Sequence, residues 1–233
     1  DRVSVTTTGG TRVLVKGLLP RRYALYASVA SFLLAIPFGL WLQFGLDTGP
    51  LTIPLGLLAV FIGWFYTAPP IKASYRGLGE LFIAVGQGLV IFGAFYIQQG
   101  FDLLPIVASL SWFVALPALK VIREFPDYDA DRTTDKRGLT VMYGRTRMSK
   151  VYGVTILLAI ALLAPVYLML DSLYAVLLLV PAALLGRSAI ITLTGQWKDR
   201  AKLEIAAVSA FTGMLLIPVT LMIVFLIAGI QRW

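Results

Sequence analysis

Seven long apolar runs leave this chain few ways to fold. They cover residues 23–44, 51–68, 78–97, 103–122, 151–170, 173–191 and 205–230. A helix needs about 20 mostly apolar residues to cross the hydrocarbon of a bilayer. A membrane strand needs only about 9–11, and its apolar residues alternate. The runs are longer than that and do not alternate, so each is expected to be a spanning helix. The only charges inside them are Glu80, Lys120 and Arg187, each close to one end. Pro37, Pro54, Pro117 and Pro218 fall within them. Such prolines are tolerated in a membrane bundle because neighbouring helices satisfy the freed carbonyls. The expected fold class is therefore an all-α multi-pass membrane protein, with one domain over residues 1–233 and seven transmembrane helices. Composition agrees: 58% of residues are hydrophobic and 14% charged, against about 45–50% and 25% in a soluble domain.

The loops between the runs alternate in character. Numbering the sides from the N-terminal segment, 19 of the 20 Lys and Arg residues fall on the first side, and only Arg232 on the other. The bias of basic residues toward cytoplasmic loops places that first side in the cytoplasm. It also accounts for the net charge of +8 without nucleic acid as a partner. The acidic residues follow the same bias, 9 of 12, and orientation alone does not require that. A face rich in both signs points to a polar site. The chain has no Cys and no His, which excludes disulfides, thiolate or imidazole metal ligands and Cys- or His-dependent nucleophilic catalysis. Any metal must be held by oxygen, which favours Mg²⁺, Ca²⁺ or Mn²⁺.

The charge is densest in REFPDYDADRTTDKRGL, Arg123 to Leu139, where Asp127, Asp129, Asp131 and Asp135 stand among basic residues. Pro126 suits the first turn of a helix, since its missing N–H is not needed there. A short helix from that point puts Asp127 and Asp131 on one face and turns Asp129 away. Like charges at this spacing repel, and a divalent cation would compensate. Mg²⁺ takes one or two carboxylates plus phosphate oxygens, and Lys136 and Arg137 stand ready for the same phosphates. The alternative is a solvated loop that pairs its own salt bridges. An EF-hand loop does not fit the acidic spacing.

Three further polar segments lie on the same side. YTAPPIKASYRGLGE, Tyr66 to Glu80, holds a Pro–Pro turn, Lys72 and Arg76. Tyr75 and Arg76 read as interface anchors, and Glu80 sits in the first turn of a helix, where the macrodipole favours an anion. GGTRVLVKGLLPRR, Gly9 to Arg22, lacks Walker spacing, but Arg12 and Lys16 are four apart and can face one anion. TGQWKDRAKLE, Thr194 to Glu204, reads as an interfacial anchor around Trp197.

Together these segments resemble the UbiA superfamily of intramembrane aromatic prenyltransferases, and within it the 1,4-dihydroxy-2-naphthoate prenyltransferase branch of menaquinone synthesis. PDYDADRTTDKRGL is similar to that branch's RDxxxDRxxGKRTL through Asp127, Asp131, Arg132, Lys136, Arg137 and Leu139. The YT…P…GE segment from Tyr66 to Glu80 matches as well. The opening DRVSVTTTGGTRVLVKGLL resembles the end of the family's first motif, NDxxDxxxGxDR, and the loop after it, so that Asp1 corresponds to the motif's last aspartate. Asp135 stands where glycine is usual, and Gly138 where threonine is usual.

The resemblance implies a nine-helix bundle, of which this N-terminally incomplete chain carries seven helices, with the first two helices and most of the first motif lying upstream. It implies Mg²⁺-dependent transfer of a polyprenyl group from a prenyl diphosphate to an aromatic acceptor, with two Mg²⁺ ions bridged by diphosphate. Asp127, Asp131 and Asp1 would be metal ligands. Lys72, Arg12, Lys16, Arg132 and Lys136 would hold diphosphate, and Tyr66 would stabilise the allylic cation. An apolar route between kinked helices would take the isoprenoid tail in a membrane setting. The acceptor within the superfamily is open between dihydroxynaphthoate, 4-hydroxybenzoate, homogentisate, a chlorophyll precursor, haem and an archaeal ether lipid. A transporter is the rival outside it.

Overall fold

The computed structural model describes residues 13, 14, 16–100, 103–133, 136–170 and 173–230. The described residues form helices and turns, with no strand among them. The main helices in chain order are α1 (Arg21–Leu40), α2 (Thr52–Phe65), α3 (Gly79–Gln99), α4 (Leu103–Arg123), the single turns α5 (Tyr128–Asp131) and α6 (Leu139–Tyr143), then α7 (Arg145–Ala161), α8 (Leu163–Leu170), α9 (Leu179–Leu193) and α10 (Arg200–Ile230).

Six of the seven expected spans are long and apolar enough to cross a membrane. The other, α2, has 14 residues and is about 21 Å long at 1.5 Å per residue, short of a typical bilayer core. Its apolar run extends further in sequence, but the chain leaves the helix at Tyr66 and turns through the cis-linked Pro69–Pro70. The expected run over 151–170 starts earlier, at Arg145, and divides at Leu162 into α7 and α8. Pro165 explains the break, because it offers no N–H and its ring crowds the carbonyl four residues before it. α10 likewise starts ahead of its apolar run, since the Asp199 carboxylate accepts a hydrogen bond from the Lys202 N–H at 2.9 Å and so caps the helix.

The core lies where α4, α7, α9 and α10 pack together. Small residues bring these helices close, as is usual where lipid supplies no hydrophobic drive for helix association. Ala115, Ala159, Ala189, Ala206 and Ala210 are fully buried among Ile122, Ile156, Leu185 and Ile217. The buried Tyr152 hydroxyl bonds that of Ser188 and ties α7 to α9. α3 packs on α4, α2 on α3 and α1 on α2. Burial falls along that series, from α4 to a lightly buried α3 and an α1 with no buried residue.

Trp197 departs from its expected role as an interface anchor. It is buried, and its ring meets that of Phe125 edge-on at 5.2 Å. The turn before α10 is thereby fixed to the turn after α4, so both lie at one end of the bundle.

The tightest helix contact makes a stability prediction. A Cβ at Gly153 of α7 would collide with Leu193 of α9. Gly153→Val is expected to force the two helices apart and lower stability by about 1–3 kcal/mol, read as a lower melting temperature in detergent. Unchanged melting would show that this contact does not set the spacing.

Candidate functional site

The polar end of the bundle is organised around Lys120. It lies in the last turn of α4, and Glu80 lies in the first turn of α3. Each charge suits the macrodipole of its own helix. The ammonium donates to Glu80 Oε1 and to Glu124 Oε1, both at 2.7 Å. The three side chains are only 7–11% exposed. Burying them would be costly unpaired, and here one cation serves two carboxylates. The second oxygen of each carboxylate is buried without a hydrogen-bond partner.

Two loops close over this cluster. In the proline-rich loop, the Ser74 N–H bonds the Tyr66 carbonyl at 2.9 Å and fully buries Ala73. Lys72 takes up the left-handed region there, at φ 48°. In the aspartate loop, the Asp131 N–H bonds the Asp127 carbonyl at 2.8 Å, closing the single turn α5. The Arg137 N–H reaches the Tyr75 carbonyl at 3.0 Å and straps one loop to the other. Gly138 follows, packed so closely on Glu124 that a Cβ would stand 2.7 Å from Oε1 and 2.9 Å from Oε2. The position where threonine is usual in the resembling branch therefore has no room for a side chain while Glu124 is paired with Lys120.

Between these loops and the α3–α4 groove lies a cavity of about 450 Å³. Tyr66, Asp127 and Lys136, all expected from sequence, line it together with Lys120, Arg123, Glu124, Ser74 and Gln87. Ile83, Leu116 and Leu119 form its apolar floor. Deeper in the same groove is a second space of about 260 Å³, lined almost wholly by apolar side chains: Gly88, Ile91, Phe92 and Phe95 of α3 facing Ile106, Leu110 and Phe113 of α4, with Ser109. Gln87 borders the first cavity and Gly88 the second, so the polar chamber and the apolar slot are neighbours along the α3–α4 groove.

The other expected site residues stand outside the chamber wall. Asp131 is held by Lys136 at 2.6 Å. Arg132 is exposed and lies over the Tyr128 ring at 5.6 Å. Arg145 covers the same ring at 4.8 Å and reaches Asp129 at 3.8 Å. Lys72 and Lys16 are exposed. Asp1, Arg12 and Asp135 lie outside the described residues. Sequence reasoning did not assign Lys120, Glu124, Ser74 or Gln87 to the site. The signal for Lys120 was available, because an ionisable residue within a spanning segment is a functional candidate by default.

Among the described residues no three acidic side chains converge into a metal cage. The wall nevertheless offers a hard oxygen donor in Asp127, whose side chain makes no hydrogen bond or ion pair with a described residue, and Asp131 stands one turn on. That set fits Mg²⁺, which keeps waters and completes its shell with phosphate oxygens, and it does not fit a metal needing nitrogen or sulfur.

The contact between Gly138 and Glu124 can be tested by a double-mutant cycle. Gly138→Thr is expected to displace the Glu124 carboxylate and lower the melting temperature. In a Glu124→Ala background the same change should cost less, with a coupling of about 0.5–3 kcal/mol. Additive effects would place residue 138 away from the carboxylate.

Over 137 residues the chain is 25% identical to the 1,4-dihydroxy-2-naphthoate octaprenyltransferase of Bacillus subtilis (strain 168). That match covers 58% of this chain and 43% of the relative, less than half of its length. No solved structure matches the chain. The UbiA prenyltransferase family matches residues 5–211, nearly the whole sequence, and the chain belongs to that family.

Proposed function

We propose that the protein transfers a polyprenyl group from a prenyl diphosphate to an aromatic acceptor in the membrane, in a Mg²⁺-dependent reaction, with 1,4-dihydroxy-2-naphthoate as the acceptor. The observation that carries this reading is the polar chamber with an apolar slot beside it along one helix groove. A prenyl diphosphate has the same two-part character. Family membership supports the reaction class, and the naphthoate octaprenyltransferase relative supports the choice of acceptor.

In this reading the diphosphate lies in the chamber and the tail in the slot, where each buried CH₂ contributes about 0.8 kcal/mol. Asp127, with Asp131 one turn on, would hold Mg²⁺, which would supply charge neutralisation for the diphosphate leaving group. Lys136 and Arg123 present donors to the same oxygens, a charge-assisted contact stronger than a neutral hydrogen bond. Tyr66 turns its ring or hydroxyl toward the allylic carbon, where a ring face stabilises positive charge. The floor of Ile83, Leu116 and Leu119 keeps water from the cation.

The test is an assay of the purified protein with labelled geranylgeranyl diphosphate, Mg²⁺ or EDTA, and a panel of acceptors that includes dihydroxynaphthoate and 4-hydroxybenzoate. Transfer to dihydroxynaphthoate that EDTA abolishes is the expected result. Transfer only to another acceptor would retain the reaction and replace the substrate. A folded protein that binds no diphosphate would defeat the proposal. Asp127→Ala should lower turnover at least about 100-fold, the scale of losing a group that stabilises transition-state charge, with melting unchanged. Ser109→Leu should narrow the slot that Ser109 lines and reduce turnover with a long donor more than with a short one. Equal loss for both would place the tail elsewhere.

A further inference from the structure

A second cavity with cationic walls lies on the other side of the bundle and shares no residue with the chamber. It is a groove of about 480 Å³ between α9 and α10, lined by Arg187, Lys202 and Gln196 with Ala183, Gly186, Ile190, Ile191 and Ile205. No Asp or Glu lines it. Arg187 is exposed on the spanning segment Val176–Leu193, six residues before the last residue of α9 and so about 9 Å from the helix end. Neither Arg187 nor Lys202 forms a salt bridge with a described residue. The cap on α10 starts the helix at Arg200 and sets Lys202 in its first turn, opposite Arg187 across the groove.

An unpaired guanidinium on the apolar flank of a spanning helix is costly unless it meets an anion at the interface. Its long stem lets the charge rise toward the headgroups. A site with two cations and an amide, and with Ala183 and Ile205 deeper along α9 and α10, matches one ligand chemistry: a phosphate joined to an acyl chain. A soluble phosphate would use the cations and leave the wall of Ala183, Ile190 and Ile205 without purpose. We propose that this groove binds the headgroup of an anionic phospholipid, with Arg187 and Lys202 on the phosphate, Gln196 as a further donor and one acyl chain along Ala183 and Ile205. Basic pockets between spanning helices are suited to such headgroups. The proposal does not depend on the prenyl-transfer reaction.

The test is native mass spectrometry of the purified protein, released from a zwitterionic detergent and titrated with phosphatidylglycerol or phosphatidylcholine of identical acyl chains. The protein should retain phosphatidylglycerol roughly 10- to 30-fold more tightly, the scale set by two cations near an anionic lipid. R187Q/K202Q should reduce that preference to about twofold or less, while R187K keeps most of it. K202Q alone, at an exposed position, should weaken it about fivefold and serves if the double variant does not fold. An undiminished preference in a folded R187Q/K202Q or in K202Q would overturn the proposal. So would displacement of the lipid by inorganic phosphate, which would assign the groove to a soluble anion.

Discussion

Lys120 between Glu80 and Glu124 is the contact on which the polar end of this bundle depends. It joins the start of α3 to the end of α4, with Glu80 and Lys120 each placed favourably in the macrodipole of its own helix. It also dictates glycine on both sides. A Cβ at Gly79 would stand 2.9 Å from the Lys120 side chain, and one at Gly138 would enter the Glu124 carboxylate. With Gly138 against α4 and the Arg137 N–H on Tyr75, the aspartate loop can take only one place, over the proline-rich loop. The wall containing Asp127 and Lys136 follows from that placement.

The packing divides the molecule unevenly. α4, α7, α9 and α10 form a close core of alanine, glycine and branched aliphatic side chains, while α3, α2 and α1 lie outward with progressively less buried surface. The chamber and slot fall on the boundary, in the groove between α4 and α3. One wall is therefore held by the core. The other belongs to a helix with few buried contacts, the condition for opening at low free energy. In the proposed function the donor arrives through lipid, and a groove with one fixed and one yielding wall suits a long apolar tail.

Much of this was legible in the sequence because its physical basis is local. Apolar run length identified the helices, residue type and spacing singled out Asp127 and Lys136, and the family resemblance added Tyr66; the three line one cavity. What depends on distant partners was not legible. Glu80 and Lys120 are 40 positions apart, and each alone has a sufficient explanation in its own helix dipole. Trp197 just before Lys198 and Arg200 has the composition of an interface anchor, and only its contact with Phe125 shows it to be buried. The short α2 escaped because apolar residues continue past Tyr66 while the helix does not, and run length cannot register that difference. Gly138 stood in the sequence only as a departure from the usual threonine, and in three dimensions it makes room for Glu124.

Charge balance gives the proposed metal dependence a physical basis in this chain. Among the described residues, the chamber's wall and the partners of its lysines hold three cations, Lys120, Arg123 and Lys136, against four carboxylates, Glu80, Glu124, Asp127 and Asp131. Lys120 is committed to two of those carboxylates and Lys136 to a third. A bare diphosphate would bring several negative charges into a site that is already slightly anionic and partly dry, where repulsion is far stronger than in water. Divalent cations reverse the sign of that interaction, since they are attracted both to the carboxylates and to the phosphate oxygens. The carboxylates that would repel the free diphosphate are thus what would select its magnesium complex, and the buried pairs Lys120–Glu80 and Lys120–Glu124 keep one cation from cancelling that selection.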